Sequence, residues 1–232
     1  MHMTASDSTW VHVGAFIRCE VGERMSAREK ESNENELIFE EAYKILSDRV
    51  RSVHVTRIEE MPTIELYLDQ VLSIINEQLA FMYAPNEKII TGAMVNNYVK
   101  QGVVPAPLRK RYSRRHIASL IFVCAFKRVL TISQIEQLFK MGAEFNVDYS
   151  RCFDAVLDLF EDKVDCLFPV DPFALPERRG KRLEVFDTKG ERVTGLFERI
   201  LENATIMLAY KVHADLMLGL DAHSVSESRV QQ

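Results

Sequence analysis

The sequence predicts an all-α protein, a helical bundle, on three observations. Apolar residues recur at three- and four-residue spacing over most of the chain. Residues suited to cap helices stand where those stretches begin, and proline or glycine interrupts the chain between them.

Met1 to Glu36 has no helical stripe: Trp10 to Val21 is at most one short strand-like run, and Ala27 to Glu36 is polar. Residues before about Ala27 are therefore expected to be dispensable for the fold, and Met25 is a candidate natural start. A first helix is predicted from Glu36 to about Val50, with Leu37, Phe39, Ala42, Tyr43, Ile45 and Leu46 on its apolar face. Pro62 is placed at the opening of a second helix that runs through Leu66, Val71, Ile75 and Leu79 to Met82, because proline's missing N–H costs nothing in a first turn. Thr91 caps a third, short helix that stops at Gly102, a residue suited to the left-handed position after a helix. Val103 to Arg111, with Pro105 and Pro107, is a loop. Ser113 then caps a helix with Ile117, Leu120, Ile121, Cys124 and Ala125 inside, and Thr131 with Gln134 has the spacing of a capping box that opens the next. Asn146 to Asp165 is helical, Phe168 to Gly190 is a connection, and Glu191 to Leu220 is predicted as one long final helix.

This divides the chain into a poorly ordered segment over 1–35, a helix packing on the core over 36–60, a helix-turn-helix domain over 61–142, a C-terminal helical region over 143–220 and a tail over 221–232.

Apolar residues make up 47% and charged residues 27% of the 232, the balance of an ordinary folded domain rather than a disordered or fibrous chain. The longest apolar run, Ile117 to Phe126, is about half of the roughly 20 residues a membrane-crossing helix needs. The N-terminus lacks a secretion signal's basic start and apolar stretch, so the expected compartment is the cytoplasm. Cys19, Cys124, Cys152 and Cys166 form no C-x-x-C pair and read as buried, inert thiols.

Net charge is −5, yet no Asp or Glu occurs between Lys88 and Ile135, where nine basic residues stand, leaving −14 for the remainder. Such asymmetry points to a polyanion-facing module within an acidic body. The short helix, the turn at Gly102 and the cationic loop before the Ser113 cap have the order of a helix-turn-helix with a basic excursion. Asn96 and Asn97 are the candidate base readers, since Asn pairs bidentately with the edge of adenine; the other reading is a surface pair that bonds the helix end. Tyr98, Lys100, Arg109, Lys110, Arg111, Tyr112, Arg114 and Arg115 are candidate phosphate contacts.

The stretch from Met61 to Phe139 contains Pro-Thr-Ile-Glu-Leu-Tyr-Leu-Asp-Gln-Val, Met-Val-Asn-Asn-Tyr-Val-Lys and Arg-Tyr-Ser-Arg-Arg-His-Ile. It resembles a bacterial family described as domain of unknown function 1836. Its second half is similar to the winged helix-turn-helix of the MerR class of regulators, where an Arg-Tyr-Tyr run precedes a Gly-Leu-Leu-Pro turn, a wing and a Tyr-Ser cap. In that likeness Asn96, Asn97 and Tyr98 occupy the run, Gly102 to Pro105 the turn, Tyr112 and Ser113 the cap, and Thr131 the cap of the following helix. The departures are Asn96 in place of a backbone-gripping arginine, a shortened wing over Pro105 to Arg111, and a long Tyr83 to Ile90 connection. The resemblance implies a DNA-binding scaffold, and fold alone does not fix function.

An enzyme is not expected. His2, His12, His54, His116, His213 and His223 show no metal-ligand spacing, no phosphate loop or nucleophile motif occurs, and no cofactor is implied. The reading is a MerR-like transcription regulator of double-stranded DNA, against a non-catalytic interaction module that uses the same basic face on an acidic partner. A homodimer is expected, since paired half-sites supply the affinity that one short recognition helix lacks. Val193, Leu196, Phe197, Ile200, Ala204, Met207, Leu208 and Val212 form its candidate interface. The operator, any small-molecule effector and the direction of regulation are not legible in the residues.

Overall fold

A computed structural model describes residues 36–84, 87–172, 174 and 180–220. The expectations for 1–35 and for the 221–232 tail lie outside the described residues. The chain divides into two compact units, one of 1–45 with 220–232 and one of 46–219. The described residues 36–45 of the first are helical, the start of α1 (36–51). The second holds the rest of α1 and α2 (Leu68–Leu79), α3 (Gly92–Lys100), α4 (Arg114–Phe126), α5 (Ile132–Glu144), α6 (Tyr149–Leu167) and α7 (Leu196–Leu218). Extended pairing among the described residues is limited to isolated bridges. The fold is all-α, as the apolar spacing predicts.

The apolar run Ile117 to Phe126 becomes the middle of this unit: every one of its ten residues is buried. Helix α4 packs against α2, α5, α6 and α7, so its burial on all sides removes the need for a polar face. Phe122 stacks on Phe126 at 4.1 Å and meets Phe139 of α5 at 5.2 Å. The expected division at 142/143 does not separate two cores, because α6 and α7 pack on α4. No described helix is long and apolar enough to cross a membrane.

The segment before α2 departs from expectation. Pro62 does not open a helix; α2 begins at Leu68, where Gln70 Oε1 accepts from Tyr67 N–H at 3.0 Å. Residues ahead of it are drawn out by antiparallel pairing of Leu66 with Tyr112, two backbone hydrogen bonds of 2.9 Å each. Further upstream, Asp154, Asp158 and Glu161 stand four and three residues apart on α6, a spacing that puts three carboxylates on one face. They hold the preceding chain alongside: Val55 N–H donates to Glu161 Oε1 at 2.9 Å, and Ile58 N–H, at the start of a 3-10 turn over Ile58–Glu60, to Asp154 Oδ1 at 3.0 Å.

Helix α7 also starts later than predicted. Residues 185–193 turn back on themselves through Gly190 (φ +85°), with Val193 N–H donating to Val185 O at 2.9 Å. Val193 is thereby tied into a hairpin, and the helix begins after Gly195 (φ +107°). The stripe expected to be a dimer interface is divided: Phe197, Ala204, Leu208 and Val212 are buried within the chain, whereas Leu196 and Met207 are exposed and Val193 and Ile200 half-buried. The buried four fill the chain's own core, so they cannot face a second copy.

Candidate nucleic-acid interface

Helix α3 forms where the sequence places it. Thr91 Oγ1 accepts from Met94 N–H at 3.3 Å, Val95 and Tyr98 turn inward, and Asn96, Asn97 and Lys100 are exposed. The asparagine side chains have no hydrogen-bond partner among the described residues, so they do not serve to tie off the helix end. Tyr98 was expected at phosphate; it is 4% exposed, and burial pushes its phenol up to about 12. Its spacing of three from Val95 puts it on the core side of the helix.

The helix ends in a doubly bonded turn. Gly102 takes φ +76° and donates to Val99 O at 3.0 Å, while Val103 N–H donates to Tyr98 O at 2.9 Å. These are the two bonds of the Schellman motif, and Val103 and Tyr98, the positions whose apolar contact accompanies it, are both buried. The chain leaving α3 is thus held in one direction.

Beyond it, Leu108 to Arg111 close a tight turn, Arg111 N–H donating to Leu108 O at 2.8 Å. Its two central residues, Arg109 (φ +50°) and Lys110 (φ +62°), are both left-handed, the backbone of a hairpin turn that glycine and asparagine normally occupy. Both are exposed and make no hydrogen bond or ion pair among the described residues. Strain retained without an internal partner is a mark of functional positions. The loop over Pro105 to Arg111 thus closes in a single turn whose far end is pinned by the Tyr112–Leu66 pairing.

The other candidate cations have separate occupations. Arg111 stacks on the Tyr67 ring, 3.6 Å from its centroid. Tyr112, 4% exposed, contributes backbone pairing and not a surface hydroxyl, a correction to its expected phosphate role. Arg114 is a clamp: its Nε donates to Met61 O at 2.8 Å, its Nη1 meets Glu59 Oε2 at 3.1 Å and its Nη2 donates to Glu59 O at 3.2 Å. Arg115 is exposed and lies over the Tyr149 ring at 5.1 Å. Lys127 donates to Ile89 O at 2.6 Å, and Arg128 pairs with Asp215 and covers Tyr83 at 4.4 Å. Of nine basic residues, Lys88, Lys100, Arg109 and Lys110 are exposed without an internal partner among the described residues.

His116 sits at the third position of α4 and completes its cap: Nδ1 accepts from Ser113 N–H at 3.1 Å and lies 2.8 Å from Ser113 Oγ. Cys124 and Cys152 are held as neutral thiols, burial pushing each up to about 12. No group of three His, Cys, Asp or Glu that could hold a metal occurs among the described residues. Tyr67 and Leu66, which brace the turn, carry no signal in the sequence, because their partners Arg111 and Tyr112 lie far along the chain.

No match was found among curated proteins or solved structures. Residues 56–163, from the chain bonded to α6 to the end of that helix's acidic face, match the family described as Domain of unknown function (DUF1836).

Proposed function

We propose that the chain binds double-stranded DNA as a regulator of the MerR-like helix-turn-helix type, with α3 as the recognition helix and the 108–111 turn as its wing. The observation that carries this reading is the pair Arg109 and Lys110, two cations with no partner among the described residues, held in a costly left-handed backbone at the tip of a braced turn. Asn96 and Asn97 would read base edges in the major groove, and Lys100, Arg109 and Lys110 would neutralise phosphates. Arg111 joins them through its exposed edge while stacking on Tyr67. A second copy would engage the exposed apolar residues Leu196, Met207, Tyr210 and Leu218 of α7, and sedimentation at micromolar concentration reads that assembly.

A salt titration on random duplex tests the reading. Affinity should fall steeply with salt, and Arg109→Ala with Lys110→Ala should reduce the slope by about two, roughly one per lost phosphate. Asn96→Ala should spare random DNA and cost about 1 to 3 kcal/mol of discrimination at a selected site. Absence of binding at low salt overturns the proposal and leaves the acidic protein partner.

A further inference from the structure

A pocket of about 380 Å³ opens between the turn that follows α3 and helices α4, α5, α6 and α7. That size is within the range of small-molecule sites. Phe122, Phe139, Phe153, Phe197, Leu138 and Val104 supply its walls. Among the described residues Arg115 is the one charged residue that lines it, and no carboxylate does. Its guanidinium lies over the Tyr149 ring at 5.1 Å, at a mouth where the first turns of α4 and α6 both open. The positive ends of two helix dipoles reinforce the arginine there. Asp148, next to Tyr149 in the chain, caps α6, its Oδ1 accepting from Arg151 N–H at 3.2 Å. Tyr149 and Ser119 share a hydrogen bond of 2.9 Å on the same wall, and burial pushes the Tyr149 phenol up, so neither brings negative charge.

We propose that this pocket binds a small molecule with an apolar body and a single anionic head, the head at Arg115 and the body between the phenylalanines. The walls demand the first part: an apolar ligand loses nothing there, whereas a polar body would leave its groups unpaired. The lone cation at the mouth demands the second, since it can pair with a carboxylate or sulfonate while the chain lies inward. This site does not rest on the DNA reading, and its test contains no DNA.

The full-length protein is titrated with 1-anilinonaphthalene-8-sulfonate, followed by displacement with octanoate, octanol or octylamine. One probe should bind per chain, and octanoate should displace it at least tenfold better than octylamine or octanol. Arg115→Gln, a change at an exposed position, should weaken octanoate at least tenfold and bring it level with the alcohol. Ala143→Phe, at the exposed rim, should abolish binding while melting with the parent. Octanoate that fails to compete, equal competition by octylamine, or unchanged affinity in Arg115→Gln overturns the proposal. So does a self-associated form, seen by sedimentation, that the probe cannot enter.

Discussion

Arg57 grips Glu161 with two parallel bonds, Nη1 to Oε1 at 2.9 Å and Nη2 to Oε2 at 2.6 Å, across 104 residues. Asp158 adds a contact from Oδ1 to Nη2 at 2.6 Å. Burial alone would lower the Arg57 pKa, but the hydrogen bonds and charges of Glu161 and Asp158 outweigh it and hold it above its ordinary value. The pair closes the family-matched segment on itself, joining its first residues to its last helix.

Removing one partner should therefore cost more than a surface ion pair would. Arg57→Ala is expected to lower stability by about 3 kcal/mol, because two carboxylates are left facing each other without a cation. Arg57→Lys keeps the charge without the fork and should fall between parent and Ala in urea denaturation. Equal midpoints for all three would show the pair to be ornamental.

Gly102 offers a test of backbone alone. A Cβ there would meet nothing within 4 Å, so Gly102→Ala introduces no clash and is left with the left-handed φ of +76°. The expected loss is about 1 kcal/mol. Gly102→Asn, which tolerates that conformation better, should recover part of it in thermal melts.

His213 sets a pH dependence separate from that of the carboxylates. It meets the Phe168 ring edge-on at 4.8 Å, and burial lowers its pKa below the ordinary value near 6.5. The unfolded chain then takes up a proton at a higher pH than the folded one. Stability should be fully present above about pH 6.5 and decline as pH falls from there towards the folded pKa. His213→Gln should flatten that part of the profile; a profile unchanged by the substitution would place the titration elsewhere.

The starts of α3, α4 and α5 are legible in the sequence because their caps are local: Thr91 reaches Met94, Ser113 reaches His116, and Thr131 exchanges bonds with Gln134 at 3.3 and 2.8 Å. What escapes it depends on partners far along the chain. Pro62 has the composition of a helix start, yet Leu66 answers to Tyr112, 46 residues away. The acid-free stretch is visible as charge, but not that Arg128 is spent on Asp215 and Arg114 on Glu59, since those pairings exist only after folding. Heptad-like spacing in α7 reports an apolar face; it carries no information on whether that face meets α6 or another molecule.

The 108–111 turn allows stability and binding to be separated. Arg109 and Lys110 sit where the backbone favours Asn-Gly, and each non-glycine residue at positive φ costs roughly 1 to 2 kcal/mol. Among the described residues neither side chain has a partner whose loss would offset the relief. Arg109→Asn with Lys110→Gly should therefore raise stability, by about 1 to 2 kcal/mol in denaturant titration. The same variant should bind duplex more weakly, with a salt slope lower by about two. Opposite signs are the expectation only if the cations act on something outside the chain. A variant that melts higher and keeps its affinity and slope removes the turn from the interface, and one that melts lower shows that the arginine and lysine support the fold.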